Sequence, residues 1–445
     1  MSLANEKALD LSPLDAPRIS VSGRIVDVGP QAFRVAGLSP FVRLGDCIAC
    51  PGSAGDEIGE VVRIESDSLT VKPFGIRSTL GVKSPARRIG PYTVAPTPEW
   101  KGRVVNAFGQ PVDGRGPLVR GIEERIADGS PPPALKRGRV GSPVQTGIRT
   151  IDIFTPLVKG QRIGIFAGSG VGKSTLMGML SRAEGFDTAV VALVGERGRE
   201  VREFLEETMA GGLDKLVTVV ATGDESPMMR RLAPKTATAI AEYFRDRGEN
   251  VLLIIDSVTR LAHAARDVAL AAGEPPVARG YPPSVFSELP QLLERAGPGL
   301  EGSGTITGVF SVLVDGDDHN DPIADAIRGT LDGHIVLDRA IAEQGRFPAV
   351  DVLKSISRLA QRAWNLQERE LVTRLRAMIS RFEDTRDLRL LGGYQRGSDG
   401  TLDQAVDLVP HIYDYLVQNP GDPVTEKPFK DLSKKLKEAF APPAG

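Results

Sequence analysis

Short runs in which apolar and polar residues alternate fill residues 18–95 of the chain. Between Ile19 and Ile25, apolar residues and glycine alternate with Ser and Arg, and the runs Val61–Ile64 and Leu69–Val71 lie between turn-forming residues. A period of two is typical of half-buried strands, and no segment of helical periodicity interrupts it. Because so many short strands close most simply on themselves, we predict a small β-barrel domain.

From residue 146 to 360 the pattern changes to continuous apolar runs, separated by segments of helical character. Three of these runs are Ala189–Val194, Leu216–Val220 and Val251–Ile255. Runs without alternation suit strands that are buried on both faces of a parallel sheet, with helices packed on either side. The pattern therefore predicts an α/β domain at the centre of the chain.

The remaining segments differ from both of these patterns. Residues 361–445 carry apolar positions such as Leu371 and Leu375 at helical spacing, which predicts a helical C-terminal domain. Residues 96–145 are rich in Pro, Gly and Arg and are predicted to form a linker with some structure of its own. Residues 1–17 are polar with scattered leucines, and we expect a flexible N-terminal arm there or a short helix that needs a partner.

The composition is that of a soluble globular protein, with 41% hydrophobic and 25% charged residues. The 445 residues suffice for two or three domains. A net charge of −2 argues against nucleic acid as the main partner, although a local basic patch stays open. No apolar run approaches the length of a membrane span, and the first residues lack the pattern of a secretory signal. We therefore expect a cytosolic protein.

The chain has two cysteines, Cys47 and Cys50, which form a C-x-x-C pair. Such a pair is open to two chemical interpretations, a redox-active dithiol or half of a zinc site. The sequence has no second Cys or His pair nearby, and the surrounding pattern is that of a β segment. We therefore predict two reduced thiols with a structural role.

A glycine-rich segment follows the apolar run Arg162–Phe166 and leads into a helical segment. A strand, a glycine loop and a helix in this order form the context of a phosphate-binding P-loop, in which backbone N–H groups and the helix N-terminus hold phosphate oxygens. The alternative, a glycine-rich turn with a chance lysine, does not account for that context. The predicted nucleotide-binding residues are Gly168, Ser169, Gly170, Val171, Gly172, Lys173, Ser174 and Thr175.

Two residues of this loop have predicted roles toward ATP and Mg²⁺. Lys173 is expected to reach the β- and γ-phosphates, and the Ser174 hydroxyl is expected to hold Mg²⁺. Ala167 stands where the strict motif has glycine, and we expect that its small size satisfies the position.

Acidic residues follow two other predicted strands. Asp256 ends the run Val251–Ile255, as does the carboxylate near Mg²⁺ in the second nucleotide-binding motif, and the alternative is an Asp that caps the next helix. Glu196 and Arg197 follow Ala189–Val194, at the strand end that faces the ligand crevice in this fold class. Glu196 is therefore expected to orient the attacking water, and Arg197 to contact phosphate or hold Glu196. Otherwise the two belong to a solvated charge cluster.

Four segments carry further motifs: Pro348–Ser357, Gly195–Arg197, Gly280–Phe286 and Leu331–Leu337. The first resembles the signature of the rotary ATPase α/β family, and the second resembles that family's catalytic-glutamate motif. The other two are similar to the branch of the family that powers type III protein export, and within it the flagellar members are most similar. The resemblance extends from about residue 18 to 440.

The resemblance implies a RecA-like P-loop core with a parallel sheet, preceded by a small β-barrel and followed by a helical domain. It also implies a ring of six identical chains with ATP sites between neighbours. Phe347 matches the position that stacks on adenine, and Arg358 matches the arginine finger that reaches the neighbouring site. By residue type alone, Arg358 is one arginine among many. The implied catalytic residues are Glu196, Lys173, Arg197 and Arg358, and the implied metal-binding residues are Ser174 and Asp256.

The implied function is Mg²⁺-dependent ATP hydrolysis that energises the export of flagellar proteins. The implied partners are further copies of the chain, a stator-like regulator, a central stalk-like export protein, export chaperones, substrate proteins and the export gate, with no nucleic acid. The expected location is the cytoplasm, peripheral to the inner membrane. The arm before the barrel is short, so the way in which it docks the regulator stays open. The stretch Asp315–Asp321, which includes His319, suggests a metal site by composition, but the resemblance implies a loop.

Four other interpretations stay open at this stage. A virulence-type export ATPase shares every catalytic motif above. The catalytic subunit of a proton-translocating ATP synthase is disfavoured by the export-branch residues Gly333–Ile335. A nucleotide-binding subunit without turnover is disfavoured because Glu196 accompanies Lys173.

The fourth alternative is an RNA-translocating ring, which also joins a β-barrel to a RecA-like core. Barrels that bind nucleic acid use aromatic platforms beside basic residues. The barrel segment has no repeated basic and aromatic pattern, and its aromatic residues are Phe33, Phe41, Phe74 and Tyr92.

Overall fold

The computed structural model describes four stretches of the chain, residues 21–53, 55–209, 214–314 and 321–439. The predicted N-terminal arm, residues 1–17, and the His319 stretch up to residue 320 lie outside the described residues. The chain divides into two compact units, residues 1–90 and 91–445.

The first unit is a closed barrel of six short strands, as predicted. Alternate residues such as Phe33 and Val35 are buried and form the barrel core. The first strand extends to Val28, three residues beyond the alternation that ends at Ile25. The strands are β1 (Ser22–Val28), β2 (Phe33–Ala36), β3 (Asp46–Gly52), β4 (Gly55–Ile64), β5 (Ser68–Pro73) and β6 (Pro85–Pro91), in the order β1-β2-β5-β4-β3-β6 around the barrel.

Both cysteines lie on β3 as free, buried thiols. Because residues three apart on a strand point to opposite faces, Cys47 and Cys50 do not face each other, and Cys50 packs in the barrel core. Burial raises the pKa of each thiol to about 12, so both are protonated at neutral pH. The prediction of reduced structural thiols is confirmed.

The second unit contains the remaining elements. They are β7 (Thr93–Val94), β8 (Val104–Asn106), β9 (Arg125–Ile126), β10 (Pro143–Val144), α1 (Arg149–Phe154), β11 (Leu157–Val158), β12 (Arg162–Ala167), α2 (Lys173–Ser181), β13 (Thr188–Val194), α3 (Gly198–Met209), β14 (Leu216–Ala221), α4 (Pro227–Arg245), β15 (Asn250–Asp256), α5 (Val258–Ala271), α6 (Pro283–Glu294), β16 (Gly297–Pro298), β17 (Thr305–Leu313), α7 (Pro322–Thr330), β18 (Gly333–Leu337), α8 (Arg339–Glu343), β19 (Ile356–Ser357), α9 (Ala360–Ala363), α10 (Leu366–Asp384), α11 (Arg386–Leu390), α12 (Gly400–Leu416) and α13 (Pro428–Ala439). Single turns of 3₁₀ helix lie at Ser39–Phe41 in the first unit and at Pro98–Trp100 and Ala134–Lys136 in the second.

A sheet in the order β19-β18-β12-β17-β15-β13-β14-β8 forms the centre of the second unit. The pairs from β18 to β8 are parallel, and β19 and β16 pair antiparallel with β18 and β17. All seven residues of β13 are buried, which explains its continuous apolar run. Edge strand β8 comes from residues 96–145, the predicted linker, where Val104 pairs with Thr218 of β14.

Helices α10, α12 and α13 pack into a separate hydrophobic core at the end of the chain. Leu375 and Ile379 of α10 meet Val409 and Ile412 of α12 there, at the helical spacing that the sequence shows. Asn365 begins α10 with a complete capping box. Within the described residues, the helices are too short or too polar to cross a membrane. The predicted fold class, a barrel, a parallel-sheet α/β core and a helical domain, is confirmed.

Candidate active site

The glycine-rich loop joins the buried strand β12 to helix α2, as the sequence predicts. Gly170 and Gly172 adopt φ values of 78° and 87°, a region that glycine enters without strain. Helix α2 begins at Lys173 immediately after Gly172, so its free N–H groups face the loop. Strand, loop and helix together make a cradle for an anion such as phosphate.

A buried cluster of one lysine and two carboxylates lies at the carboxyl edge of the sheet. Leu193 of β13 pairs with Asp256 of β15, so the segment that follows β13 carries Glu196 to the end of β15. The Nζ atom of Lys173 lies 2.5 Å from Oδ1 of Asp256 and 3.6 Å from Oε1 of Glu196. The three side chains are 11%, 3% and 12% exposed, in that order. The structure therefore brings these three predicted residues together, and we name them the nucleotide-edge cluster.

Glu196 is the underpaired member of this cluster. In the described part of the chain, Oε1 of Glu196 is buried without a hydrogen-bond partner. The same is true of Nε of Arg260, which lies 3.6 Å from that oxygen. Burial raises the pKa of Glu196 to about 7 against the attraction of Lys173, and Asp256 and a hydrogen bond with Glu200 raise it further. The same hydrogen bond lowers the pKa of Glu200. A carboxyl group with a pKa near neutrality suits proton transfer with water.

The oxygen atoms near Asp256 fit a divalent cation such as Mg²⁺. The Asp256 carboxylate accepts hydrogen bonds from Lys173 and Ser311, and Ser174 is exposed in the first turn of α2. Mg²⁺ prefers such hard oxygen ligands, and it often binds one or two protein groups together with substrate phosphates. The unsatisfied Oε1 of Glu196 marks a further polar gap beside Lys173.

The ring of Phe347 lies against the P-loop. A Cβ atom at Gly172 would lie 3.3 Å from Cδ1 of that ring, so the glycine permits this close approach. Phe347 is 41% exposed, which leaves aromatic surface open for a flat ligand group. Arg339 donates from Nη2 to the carbonyl oxygen of Ser169 at 3.2 Å and ties the same segment to the loop. The predicted base-stacking residue therefore adjoins the predicted phosphate loop.

The Arg197 side chain is largely exposed to solvent and is not ion-paired with Glu196 among the described residues. Its side chain is 69% exposed, and Nη1 lies 3.7 Å from Oε1 of Glu200. The contact of this side chain with phosphate stays a prediction.

Arg358 lies at the end of the sheet where the parallel strands begin, whereas the P-loop lies at their carboxyl ends. It follows β19, in which Ser357 pairs with Gly333 at the beginning of β18, and its N–H donates to the Asp332 carbonyl oxygen. Strand β18 is parallel to β12, whose far end carries the P-loop. Five residues of β18 span about 17 Å, so Arg358 does not join Lys173 of its own chain. Arg358 is exposed, and in the described part of the chain its guanidinium has no ion-pair partner.

Four residues that contact this site were missed from the sequence: Glu200, Arg260, Ser311 and Arg339. Glu200 and Arg260 could have been found from the sequence. Glu200 comes four residues after Glu196, Arg260 comes four residues after Asp256, and each lies in the first turn of the next helix. Ser311 had none, because it lies inside the apolar strand β17 and only the strand order places it beside Asp256.

Comparisons with known proteins agree along most of the chain. Residues 147–357 match the ATP synthase alpha/beta family, nucleotide-binding domain, and residues 364–438 match the T3SS EscN ATPase C-terminal domain. The chain is 56% identical over 423 residues to the flagellum-specific ATP synthase of Agrobacterium fabrum, a match that covers 95% of this chain and 89% of the relative. It is 44% identical over 402 residues to a type 3 secretion system ATPase of Xanthomonas euvesicatoria, covering 89% of each.

A solved structure shows the same likeness in three dimensions. The assembled ATPase EscN of enteropathogenic E. coli, in complex with its central stalk EscO, matches with a TM-score of 0.84 and 39% identity. The match covers 93% of this chain and 100% of the EscN chain.

Proposed function

Because the chain belongs to the ATP synthase α/β family, we propose that it hydrolyses ATP to energise protein export through the flagellar type III apparatus. The family resemblance predicted from the motifs is confirmed by the matches to both domains and to whole-chain relatives. The observation that carries the chemical part of the proposal is the nucleotide-edge cluster, in which Lys173 meets Glu196 and Asp256 beside the P-loop.

The proposed reaction is the attack of water on the γ-phosphorus of ATP, which breaks the bond to the β–γ bridging oxygen and yields ADP and phosphate. The P-loop N–H groups and Lys173 bind the β- and γ-phosphates. Ser174 and Asp256 would hold Mg²⁺, which supplies positive charge against the phosphate oxygens. Glu196 orients the water and accepts its proton, a role that the raised pKa of this carboxyl group supports.

Three further residues have proposed roles at this site. Phe347 stacks on adenine, because its exposed ring adjoins the P-loop at Gly172. Arg197 swings inward to contact the γ-phosphate. Arg358 acts on the site of a neighbouring chain, where an arginine finger neutralises charge on the transferring phosphoryl group.

The position of Arg358 supports a ring in which neighbouring chains share sites. The residue is exposed at the end of the sheet away from its own P-loop, and we propose that the site it serves lies on a second copy of the chain. We propose a homohexamer, in line with the family resemblance. The solved EscN is described as assembled and bound to a central stalk, and we propose a stalk-like partner for this chain as well.

The other partners and the location stay proposals that rest on the family resemblance. They are a stator-like regulator, export chaperones, unfolded substrate proteins and an export gate at the inner membrane. We propose that the ring works in the cytoplasm, peripheral to that membrane.

Two alternatives differ in their support. The virulence-type reading shares the active site, but the flagellar relative of Agrobacterium fabrum is 56% identical and the secretion relative of Xanthomonas euvesicatoria is 44% identical. The hypothesis of an RNA-translocating ring is disfavoured, because Phe33 and Phe74 are 2% and 3% exposed and therefore do not offer a surface on which bases could stack. Phe41 is the exposed aromatic residue among the described barrel residues. Stimulation of ATP hydrolysis by RNA would revive the second alternative.

The test of the proposed function is ATP turnover measured against protein concentration, with molecular mass determined by light scattering on the same samples. We expect turnover per chain to rise as large assemblies replace monomers, because Arg358 completes a neighbour's site. Turnover that stays constant while the protein is monomeric would contradict the shared site. Deleting the gene in the source bacterium should stop secretion of flagellar subunits, and undiminished secretion would contradict the flagellar assignment.

A further inference from the structure

The chain that leaves the helical domain returns directly to the rim of the nucleotide site. Gln418 comes two residues after the end of α12 and is 3% exposed. Its backbone N–H donates to the carbonyl oxygen of Phe347 at 2.8 Å. One buried residue therefore connects the helical domain to the segment whose ring adjoins the P-loop.

The Gln418 carboxamide is bound at both ends to the beginning of α1. Its Nε2 donates to the carbonyl oxygen of Gly147 at 2.8 Å, and its Oε1 accepts from the N–H of Arg149 at 3.0 Å. One donor and one acceptor are required there, which an amide side chain supplies and a carboxylate does not. The Arg149 guanidinium also donates to the carbonyl oxygens of Tyr415 and Val417.

The partner segment is itself firmly held. The buried carboxylate of Asp152 accepts hydrogen bonds from the N–H groups of Thr146 and Gly147 and from the Thr146 hydroxyl. Gly147 is therefore fixed in the turn that precedes α1, so the Gln418 side chain is bound to a rigid base. Through its own N–H, Gln418 transfers that fixed position to the Phe347 carbonyl.

We propose that Gln418 is a positioning residue for nucleotide-base recognition, which holds the Phe347 ring at the P-loop through its hydrogen bonds to α1. This inference rests on the proposed function and deepens it. Because Gln418 contacts none of the residues of the nucleotide-edge cluster, its loss should weaken binding of the adenine base and leave binding of the phosphates intact. Because binding couplings are reciprocal, a bound base should also stabilise the docking of the helical domain.

The test compares ADP with inorganic pyrophosphate as inhibitors of ATP hydrolysis, because the two share phosphates and differ in the base. In Gln418→Glu, the acceptor for Arg149 is kept and a carboxylate oxygen replaces the donor to Gly147. We expect the inhibition constant of ADP and the KM of ATP to rise about tenfold, the effect of losing one or two buried hydrogen bonds. The inhibition constant of pyrophosphate and kcat should change less than about twofold. Gln418→Met, of similar size, is the second variant in case the first does not fold.

Two further variants sharpen the test. Gln145→Ala is the matched control, because the Gln145 side chain also donates to the C-terminal segment, at the Thr425 carbonyl oxygen, but does not contact Phe347. This change should leave both inhibition constants unchanged. Phe347→Ala should raise the ADP constant by itself, and adding Gln418→Glu to it should cause little further loss, because both changes remove the same interaction.

A parallel rise in the ADP and pyrophosphate constants, or additive effects of the Gln418 and Phe347 changes, would overturn the inference. Unchanged ADP inhibition in a folded Gln418 variant would overturn it equally. A different outcome would contradict the proposed function, namely a wild-type protein that neither hydrolyses ATP nor responds to ADP.

Discussion

Two buried groups of charged side chains in the second unit differ in how well their carboxylates are paired. The α4–α6 cluster joins Arg231 and Lys235 of α4 to Glu288 of α6. Arg231 donates from Nε to both oxygens of Glu288 at 2.8 and 3.0 Å, and Lys235 Nζ lies 2.9 Å from Oε1. Burial by itself would raise the pKa of Glu288, but these two cations outweigh it and hold the pKa at about 2.

Glu196 of the nucleotide-edge cluster shows the opposite balance. Lys173 is shared between two carboxylates, and its Nζ lies 2.5 Å from Asp256 but 3.6 Å from Glu196. Burial therefore dominates and raises the pKa of Glu196 to about 7. A fully paired buried carboxylate holds helices together, whereas an underpaired one keeps its proton exchange available for chemistry.

The largest expected effect on turnover comes from removing Arg358, the cation that a neighbouring chain is proposed to add to the nucleotide-edge cluster. Arg358→Ala should lower kcat by about a thousandfold or more, the usual contribution of an arginine finger. The ADP affinity of the isolated chain should stay unchanged, because Arg358 is remote from its own P-loop. A loss below about tenfold in an intact ring would count against this role.

Mixing two inactive variants separates a shared site from a site within one chain. Arg358→Ala and Lys173→Ala should partly restore turnover when assembled together, because some interfaces then combine an intact Lys173 site with an intact Arg358. If mixing restores nothing although mixed rings form, the arginine acts elsewhere.

The next effect comes from Glu196 itself. Glu196→Gln should lower kcat by about 10²–10⁴-fold, because the amide does not accept the proton of the attacking water. ADP binding and the melting temperature should be preserved, because an underpaired carboxyl adds little stability. Glu203→Gln, an exposed position on α3, is the matched control and should keep full turnover. Wild-type turnover in Glu196→Gln would remove this residue from the role of water positioner.

The smallest effect on catalysis is expected in the α4–α6 cluster, where the change is in stability. Glu288→Gln should remove about 3 kcal/mol, because the pKa of Glu288 lies about two and a half units below its ordinary value. For a unit of this size, that corresponds to a melting temperature lower by about 4 °C. Glu206→Gln, whose exposed side chain pairs with Arg202 on α3, should shift it by less than about 1 °C.

The stability difference at Glu288 should depend on pH in a defined direction. Folding lowers the pKa of Glu288 from its ordinary value of 4.5 to about 2, so its contribution to stability is fully present above about pH 5 and is lost as pH falls from there toward 2. Thermal melts of wild type and Glu288→Gln should therefore differ fully at pH 7 and converge below pH 4. A constant gap across that range would mean that Glu288 acts through packing and not through its charge.

Much of the fold could be predicted from the sequence, because the spacing of apolar residues in a segment indicates how many of its faces are buried. Alternation predicted the barrel, continuous apolar runs such as that of β13 predicted the parallel sheet, and helical spacing predicted α10. Strand β8 was not predicted as part of the sheet, because three residues in a Pro- and Gly-rich segment carry too little periodicity. Its place is fixed by pairing with β14, far along the chain.

The sequence by itself predicted the P-loop, Glu196 after β13 and Asp256 at the end of β15, because each lies within a short motif beside a recognisable strand. Phe347 followed from the family resemblance. The tertiary structure decided how these parts act on one another. Sheet order buried Glu196 and set the distances from Lys173 to its two carboxylates, and the burial raises the pKa of Glu196. It also set Arg358 at the far end of the sheet and brought Gln418 against Phe347, because such contacts join residues that no local pattern relates.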